Sequence, residues 1–122
     1  MAKTILIVDD SASLRQVVSI ALKGAGYDVI EGMDGKDALT KLDGQKIHLI
    51  ISDVNMPNMN GIEFVKAAKQ LPAYKFTPVI MLTTESGESL KQEGQAAGAK
   101  AWVVKPFQPA QMLAAVSKLI LP

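Results

Sequence analysis

The sequence contains no cysteine, a single histidine and a single tryptophan. Without cysteine the chain can neither form disulfides nor use a thiolate in catalysis. The absence of cysteine fits a reducing compartment. Long apolar runs are absent as well. The apolar segment before Asp9 is too short for a signal peptide, and no stretch approaches the roughly 18 apolar residues of a membrane span. We therefore expect a soluble, cytoplasmic protein without membrane insertion.

The sequence also has no large excess of basic over acidic residues, or of acidic over basic ones. Thirteen lysines and arginines stand against twelve acids, a net charge of +1, so no overall field favours nucleic acid or an anionic membrane. The length of 122 residues, with 48% hydrophobic and 20% charged residues, suits one globular core. We expect a single domain over residues 1–122, with no output domain and no nucleic-acid partner.

Four apolar runs each end on a different kind of polar group. Residues 5–8 are followed by Asp9-Asp10, residues 47–52 by Asp53, residues 79–82 by Thr83-Thr84, and residues 101–104 by Lys105-Pro106. In open parallel α/β sheets, ligands bind outside the carboxyl ends of the strands. The sequence therefore predicts a binding site formed by these four strand ends.

Segments with helical periodicity separate the strands, and residues 27–31 predict a further strand. This alternation predicts an α/β fold, a doubly wound parallel sheet of five strands with helices on both faces. In the first helix we expect a cap at Ser11 or Ser13, with Ser13 and Gln16 forming a capping box. The apolar positions predicted to face the core are Leu14, Val17, Val18, Ala21, Leu22 and Ala25 in the first helix, Ala38, Leu39 and Leu42 in the second, Ile62, Val65 and Ala68 in the third, and Met112, Leu113, Val116 and Ile120 in the last.

The helix predicted over residues 86–97 is weaker than the others. Leu90 is its one large apolar residue, and Gly87 and Gly94 each cost about 1 kcal/mol of helix propensity relative to alanine. It is either a solvated surface helix or a helix whose outer face can shift, or bind a partner, at a low cost in free energy.

Converging carboxylates repel one another and need a cation. Oxygen ligands favour Mg²⁺, and Lys105 and Thr83 can hold phosphate oxygens at the same edge. Phosphoryl transfer uses such groups without histidine or cysteine, and a carboxylate can itself accept the phosphoryl group. Asp53, alone at its strand end, is the candidate acceptor, while Asp9 and Asp10 suit the metal. Taken singly, each acid could equally be a helix cap or a loop residue.

These residues resemble the receiver domain of two-component response regulators, especially the stand-alone chemotaxis regulators of the CheY type. The resemblance covers essentially the whole chain. It rests on Val8-Asp9-Asp10, Asp53 followed by Met56-Pro57, Asn60-Gly61, Thr83 and Lys105-Pro106-Phe107. It implies a flavodoxin-like fold with strand order 2-1-3-4-5.

The resemblance also implies roles for the site residues. Asp53 would accept a phosphoryl group from a histidine kinase or a small phosphodonor. Asp10, Asp53 and the Asn55 carbonyl would bind Mg²⁺, with Asp9 acting through water, and Thr83 and Lys105 would bind phosphate oxygens. Asn55 and Glu85 would either tune the access of hydrolytic water or be plain loop residues.

By the same resemblance the chain would be a monomeric signalling protein and not a turnover enzyme. Besides its Mg²⁺-dependent phosphorylation it would catalyse its own dephosphorylation. Its phosphorylation-dependent target would be a protein such as the flagellar motor switch or a phosphatase.

Trp102 stands where many receivers carry a tyrosine or phenylalanine that rotates inward on activation. An indole is larger and needs a partner for its N–H, so it is either an outward residue on a partner face or a partly buried packing aromatic. That partner face would include Lys91, Gln95 and Lys100. His48 is expected to pack in the third strand or lie at the surface. The resemblance suggests a cis Lys105-Pro106 bond.

Three other functions remain as alternatives. A hydrolase forming an aspartyl phosphate would want an acid two residues after Asp53, where Asn55 stands, and a cap insertion. A receiver that acts as a phosphate sink would have no motor output. A flavodoxin-like cofactor binder would need a glycine-rich first turn in place of the acids at positions 9 and 10.

Overall fold

The computed structural model describes residues 3–83, 88–104 and 108–120, and within these ranges five strands alternate with five helices. A single 3₁₀ turn at Pro72–Tyr74 precedes the fourth strand. The strands are β1 (Thr4–Val8), β2 (Asp28–Gly32), β3 (Leu49–Ser52), β4 (Val79–Thr83) and β5 (Ala101–Val104), and the helices are α1 (Ala12–Gly24), α2 (Gly35–Lys41), α3 (Gly61–Lys69), α4 (Glu88–Ala97) and α5 (Pro109–Leu119).

The strands form one parallel sheet in the order β2-β1-β3-β4-β5. Fold class and strand order are therefore as the sequence and the family resemblance led us to expect. In the β1–β3 pair, Ile5 lies opposite Leu49 and Val8 opposite Ser52, so the two strands end at the same level. This register brings the residues that follow Val8 and Ser52 to one point at the sheet edge.

Both faces of the sheet are buried. Alternate residues of β1 belong to different apolar clusters, with Ile5 and Ile7 in one and Leu6 and Val8 in the other. The cluster of Ile5 contains the buried apolar side chains of α1 and α5, and the cluster of Leu6 contains those of α2 and α3. This explains why the strands read as continuous apolar runs instead of alternating ones.

The predicted buried face of α1 is wrong at two positions. Val17 is 51% exposed, and Ala25, which caps the helix at its C-terminus, is exposed as well. Only a narrow stripe of α1 reaches the sheet, and it contains Val18, Ser19 and Leu22. The capping box predicted at Ser13 is also wrong, since the side chain of Ser11 accepts the backbone N–H of Leu14.

The third strand begins at Leu49, later than the apolar run suggested. His48 precedes it and joins it to β1, because the backbone N–H of Thr4 donates to His48 Nδ1 at 3.0 Å and the His48 N–H donates to the Thr4 carbonyl at 2.8 Å. His48 is thus a structural residue at the start of the strand, as the sequence favoured. Burial, with the positive charges of Lys3 and Lys46, lowers its pKa.

The remaining helices follow the predicted pattern closely. Pro109 occupies the first turn of α5, and Asn60 and Glu63 form a capping box at α3 that the sequence reading had not identified. α4 begins at Glu88, so Gly87 lies outside the described residues. The predicted core positions Ala38, Leu42, Ile62, Val65, Ala68, Met112 and Val116 are buried, and Leu39, Leu113 and Ile120 are partly buried.

Within the part of the chain that the structure describes, no helix is both long and apolar enough to cross a membrane.

Candidate functional site

Three carboxylates meet at the ends of β1 and β3. Asp9, Asp10 and Asp53 each offer an oxygen, and these oxygens all lie within 4.8 Å of one another. The pairing of β1 with β3 continues one step beyond the strands, since the Asp53 N–H donates to the Val8 carbonyl at 2.8 Å. The register of the sheet thus produces the convergence that the sequence predicted.

Asp9 is fixed by its surroundings. It is 3% exposed, and its Oδ1 accepts the backbone N–H of Ser11 at 2.9 Å. Its own N–H donates to the Gly32 carbonyl, and Arg15 donates to the Asp9 carbonyl at 2.5 Å. Arg15 also pairs with Glu31 at 3.1 Å. The sequence reading missed Arg15, because nothing in the spacing of α1 indicates that this side chain reaches back to the end of β1.

Asp53 is 7% exposed, and its backbone is held as firmly as its side chain. Its Oδ1 accepts the Val54 N–H at 2.7 Å, and Ser52 Oγ donates to its carbonyl at 2.9 Å. Gly61 approaches the same carbonyl, so that a Cβ added to Gly61 would lie 1.8 Å from the Asp53 oxygen. No side chain fits there. Glycine at position 61 thus allows the two backbone segments to approach closely.

The positive φ in the loop after Asp53 occurs at Asn58, with φ of 69°, and not at Gly61. Asparagine tolerates this region better than most residues. Its side-chain amide donates to Asp34 Oδ2 at 2.9 Å, which ties the loop to the N-terminus of α2. The hydrogen bond from the Asp37 backbone N–H lowers the pKa of Asp34, and the hydrogen bond from the Asn58 amide lowers it further by a smaller amount. The sequence reading had not identified this tie.

The acidic cluster suits a hard divalent cation. Like charges about 4 Å apart cost roughly 4 kcal/mol per pair at an effective dielectric near 20, so the three carboxylates favour a bound cation. Carboxylate oxygens are the ligands that Mg²⁺ prefers, together with waters and carbonyls. Asp10 is exposed, which leaves one side of the cluster open to solvent. Asn55, whose carbonyl the resemblance implies as a ligand, lies two residues after Asp53 with an exposed side chain.

Of the other two predicted site residues, Thr83 reaches the same edge of the sheet at the end of β4. Thr83 ends β4 and lies opposite Val104, the last residue of β5. The structure does not describe the side chain of Thr83. Lys105, the Lys105-Pro106 bond and Glu85 also lie outside the described residues.

Trp102 is a partly buried packing residue, one of the two alternatives left by the sequence. Its indole packs against the cluster of α2 and α3, and a Cβ added to Gly94 of α4 would lie 2.7 Å from the ring. The glycine that weakens α4 thus makes room for the indole. Of the surrounding residues, Gln95 and Lys100 are exposed and Lys91 is partly buried.

Known proteins are similar to this chain over most of its length. The family model of the response regulator receiver domain matches residues 5–117. Chemotaxis protein CheY1 of Helicobacter pylori is 39% identical over 107 residues, which cover 86% of each chain. Protein PilG of Pseudomonas aeruginosa is 35% identical over 112 residues, covering 92% of this chain and 83% of that one.

Solved structures agree in fold. The chemotaxis protein CheY4 of Vibrio cholerae superposes with a TM-score of 0.94 at 50% identity, over 98% of this chain and 99% of that one. A putative response regulator of Chloroflexus aurantiacus gives a TM-score of 0.92 at 32% identity, over 98% of each chain. With the three carboxylates gathered beyond β1 and β3 of a sheet in this order, the chain belongs to the response regulator receiver domain family.

Proposed function

We propose that the chain is a phosphorylation-activated response regulator of a chemotaxis-type two-component system, with Asp53 as the phosphoacceptor. The observation that carries the proposal is the convergence of Asp53 with Asp9 and Asp10 within 4.8 Å. A histidine kinase would be the donor. In the transfer, an Asp53 carboxylate oxygen forms a bond to phosphorus, the phosphorus–nitrogen bond of the phosphohistidine breaks, and the imidazole leaves with a proton from solvent.

Asp9, Asp10, Asp53 and the Asn55 carbonyl would hold Mg²⁺, with Asp9 acting through water. The ion would neutralise charge on the transferred group. Buried Asp9 is oriented by the Ser11 N–H and by the end of β1, so this carboxylate has a fixed position before the ion arrives. Asp53 needs a fixed position for in-line attack, and its hydrogen bonds to Val8 and Val54 supply it.

Thr83 and Lys105 would bind the oxygens of the acquired phosphoryl group. Thr83 ends β4 at the edge where Asp53 lies, and Lys105 follows the last residue of β5 in the sequence, which supports this assignment. Water would later attack the phosphorus and release inorganic phosphate, restoring the carboxylate. Asn55 and Glu85 would set how readily that water enters. An aspartyl phosphate formed and hydrolysed at one site is a timed signal, so the protein would act by presenting a changed surface to a downstream protein and not by turnover of free substrates.

The proposal is tested with beryllofluoride, which mimics an aspartyl phosphate. We expect it to shift amide resonances around Asp9, Asp53 and β4 when Mg²⁺ is present, and to produce no shifts after chelation of the metal. Asp53→Asn should abolish the response. Asp28→Asn changes an exposed acid at the opposite edge of the sheet and is the matched control. Equal shifts in Asp53→Asn and wild type would refute the assignment of Asp53.

Trp102 is the only tryptophan, so its fluorescence reports whether the site is coupled to the packing of β5 against α4. Beryllofluoride is expected to change its emission in wild type and to leave it unchanged in Asp53→Asn. Constant emission alongside shifted amides at the site would show that the site is occupied without involving the indole.

A further inference from the structure

The edge of the sheet opposite the acidic site contains a groove with the reverse charge. Its lining comes from the residues that precede β3, β4 and β5 and from the end of α5. Three adjoining cavities of about 370, 350 and 380 Å³ form it. The first and second cavities share the lining residues His48, Phe76 and Pro78. The second and third share Lys100, Lys118 and Leu119. The shared residues make the three cavities one continuous surface, here called the basal groove.

The charged residues that line the basal groove are lysines. Lys46, Lys100 and Lys118 line it, and no aspartate or glutamate does so among the described residues. In the part of the chain that the structure describes, none of these three lysines forms an ion pair. The chain as a whole is nearly neutral, so this charge is local. The groove therefore favours a partner with a few carboxylates over a long polyanion.

An exposed aromatic ring stands between the first two cavities. Phe76 is 88% exposed, the most exposed of the large apolar residues described, and Lys75 Nζ lies 5.7 Å from the centre of its ring. Exposed aromatic side chains beside apolar hollows are typical binding hot spots. The adjoining floor is largely aliphatic, since Ala115 and Leu119 line the same cavity as Lys100 and Lys118. Such a floor accepts an aliphatic or aromatic side chain, whereas a nucleic acid offers it only base faces.

His48 adds a polar group of defined orientation. Because its Nδ1 accepts the Thr4 N–H, the proton of the neutral imidazole resides on Nε2. The ring lines both cavities beside Phe76. Nε2–H is thus a hydrogen-bond donor for an acceptor in the groove.

We propose that the basal groove binds an acidic peptide segment in which carboxylates flank an apolar side chain. The apolar side chain lies against Phe76 and the floor near Leu119, and the carboxylates pair with Lys100 and Lys118. Since the groove and the acidic site lie at opposite edges of the sheet, a partner bound here leaves the candidate phosphorylation site open. The proposal does not depend on phosphorylation, and Asp53→Asn should bind as wild type does.

The test uses a fluorescein-labelled synthetic peptide of alternating glutamate and leucine, titrated with the intact protein and followed by anisotropy and amide shifts. We expect shifts at the groove residues, and weaker binding at higher salt. Phe76→Ala should weaken binding about tenfold, as loss of a hot-spot aromatic does. Lys100→Gln and Lys118→Gln should each weaken it about threefold. Ile20→Ala and Lys36→Gln, which alter exposed residues outside the groove, are the matched controls and should bind as wild type.

Four outcomes overturn the proposal. The first is that Phe76→Ala binds the peptide as wild type does, with its fold and melting temperature intact. The second is that a peptide with lysine in place of glutamate binds equally well. The third is that a single-stranded oligothymidine binds more tightly than the acidic peptide, and the fourth is that the protein self-associates and Phe76→Ala abolishes this. The third would make the groove a nucleic-acid surface. The fourth would show that a second copy of the chain covers it.

Discussion

The contact between Trp102 and Gly94 gives the sharpest test of how β5 and α4 pack. Gly94 is buried in α4, and a methyl group there would lie 2.7 Å from Trp102 Cζ3 and 3.3 Å from Cε3. Carbon atoms in good contact are about 3.5–4.0 Å apart, so in Gly94→Ala the ring must withdraw by roughly 0.8 Å. Overpacking of a filled site costs about 1–3 kcal/mol.

A second effect opposes the first. Alanine is favoured over glycine in a helix interior by about 1 kcal/mol. Taking the middle of the overpacking range, we expect Gly94→Ala to lower the free energy of unfolding by about 1 kcal/mol, or the melting temperature by about 4 °C for a domain of this size. With Trp102→Phe, which removes the outer part of the indole, the steric cost falls and Gly94→Ala should become stabilising by up to about 1 kcal/mol.

The assay is urea unfolding of wild type, both single variants and the double variant, which yields the coupling between the two positions. Emission of the only tryptophan, recorded for wild type and Gly94→Ala, should move to longer wavelength as the indole becomes more exposed. A stabilised Gly94→Ala with unchanged emission, and no coupling to Trp102→Phe, would refute the packing of the ring on Gly94.

Three further predictions concern the site and the sheet edges. Gly61→Ala places a methyl group 1.8 Å from a backbone oxygen that cannot move aside, so we expect it to destabilise the fold by about 3 kcal/mol in urea unfolding and to shift the Asp53 amide resonance. The pKa of His48 is lower in the folded protein than its ordinary value of 6.5, so the stability that His48 contributes above pH 6.5 is lost as the pH falls through its folded-state pKa. His48→Asn keeps a hydrogen-bond acceptor but cannot titrate. Its melting temperature should therefore fall less than that of wild type over this pH range. Asn58→Gly should be more stable than Asn58→Ala by about 1 kcal/mol, because φ at this position is 69°, and equal stabilities would contradict this backbone conformation.

The sequence predicted the sheet well because the central strands β1, β3 and β4 are apolar and buried, and a polar residue ends or follows each of them. Those polar ends allowed Asp9, Asp10 and Asp53 to be placed together. Features that depend on contacts between distant residues could not be predicted in the same way. Asn58 reaches Asp34 only because the loop after β3 folds over α2.

One wrong prediction and one question that the sequence left open have the same physical origin. Val17 fits an apolar stripe by spacing, yet α1 contacts the sheet along a narrower face and leaves this residue exposed. The position of Trp102 depends on Gly94, which belongs to a different element and reads, in the sequence, as a helix-weakening glycine. The basal groove likewise gathers lysines that lie far apart in the chain. In each case the decisive neighbour is set by tertiary packing and not by local pattern.

The central claim is that Asp53 accepts a phosphoryl group, and the most direct measurement is the intact mass after incubation with Mg²⁺ and acetyl phosphate. Wild type and Asp28→Asn are expected to gain the mass of one phosphoryl group, which is lost again with time as the aspartyl phosphate hydrolyses. Asp53→Asn, and wild type with the metal chelated, should gain none. A phosphoryl group acquired by Asp53→Asn to the same extent as wild type would contradict the account.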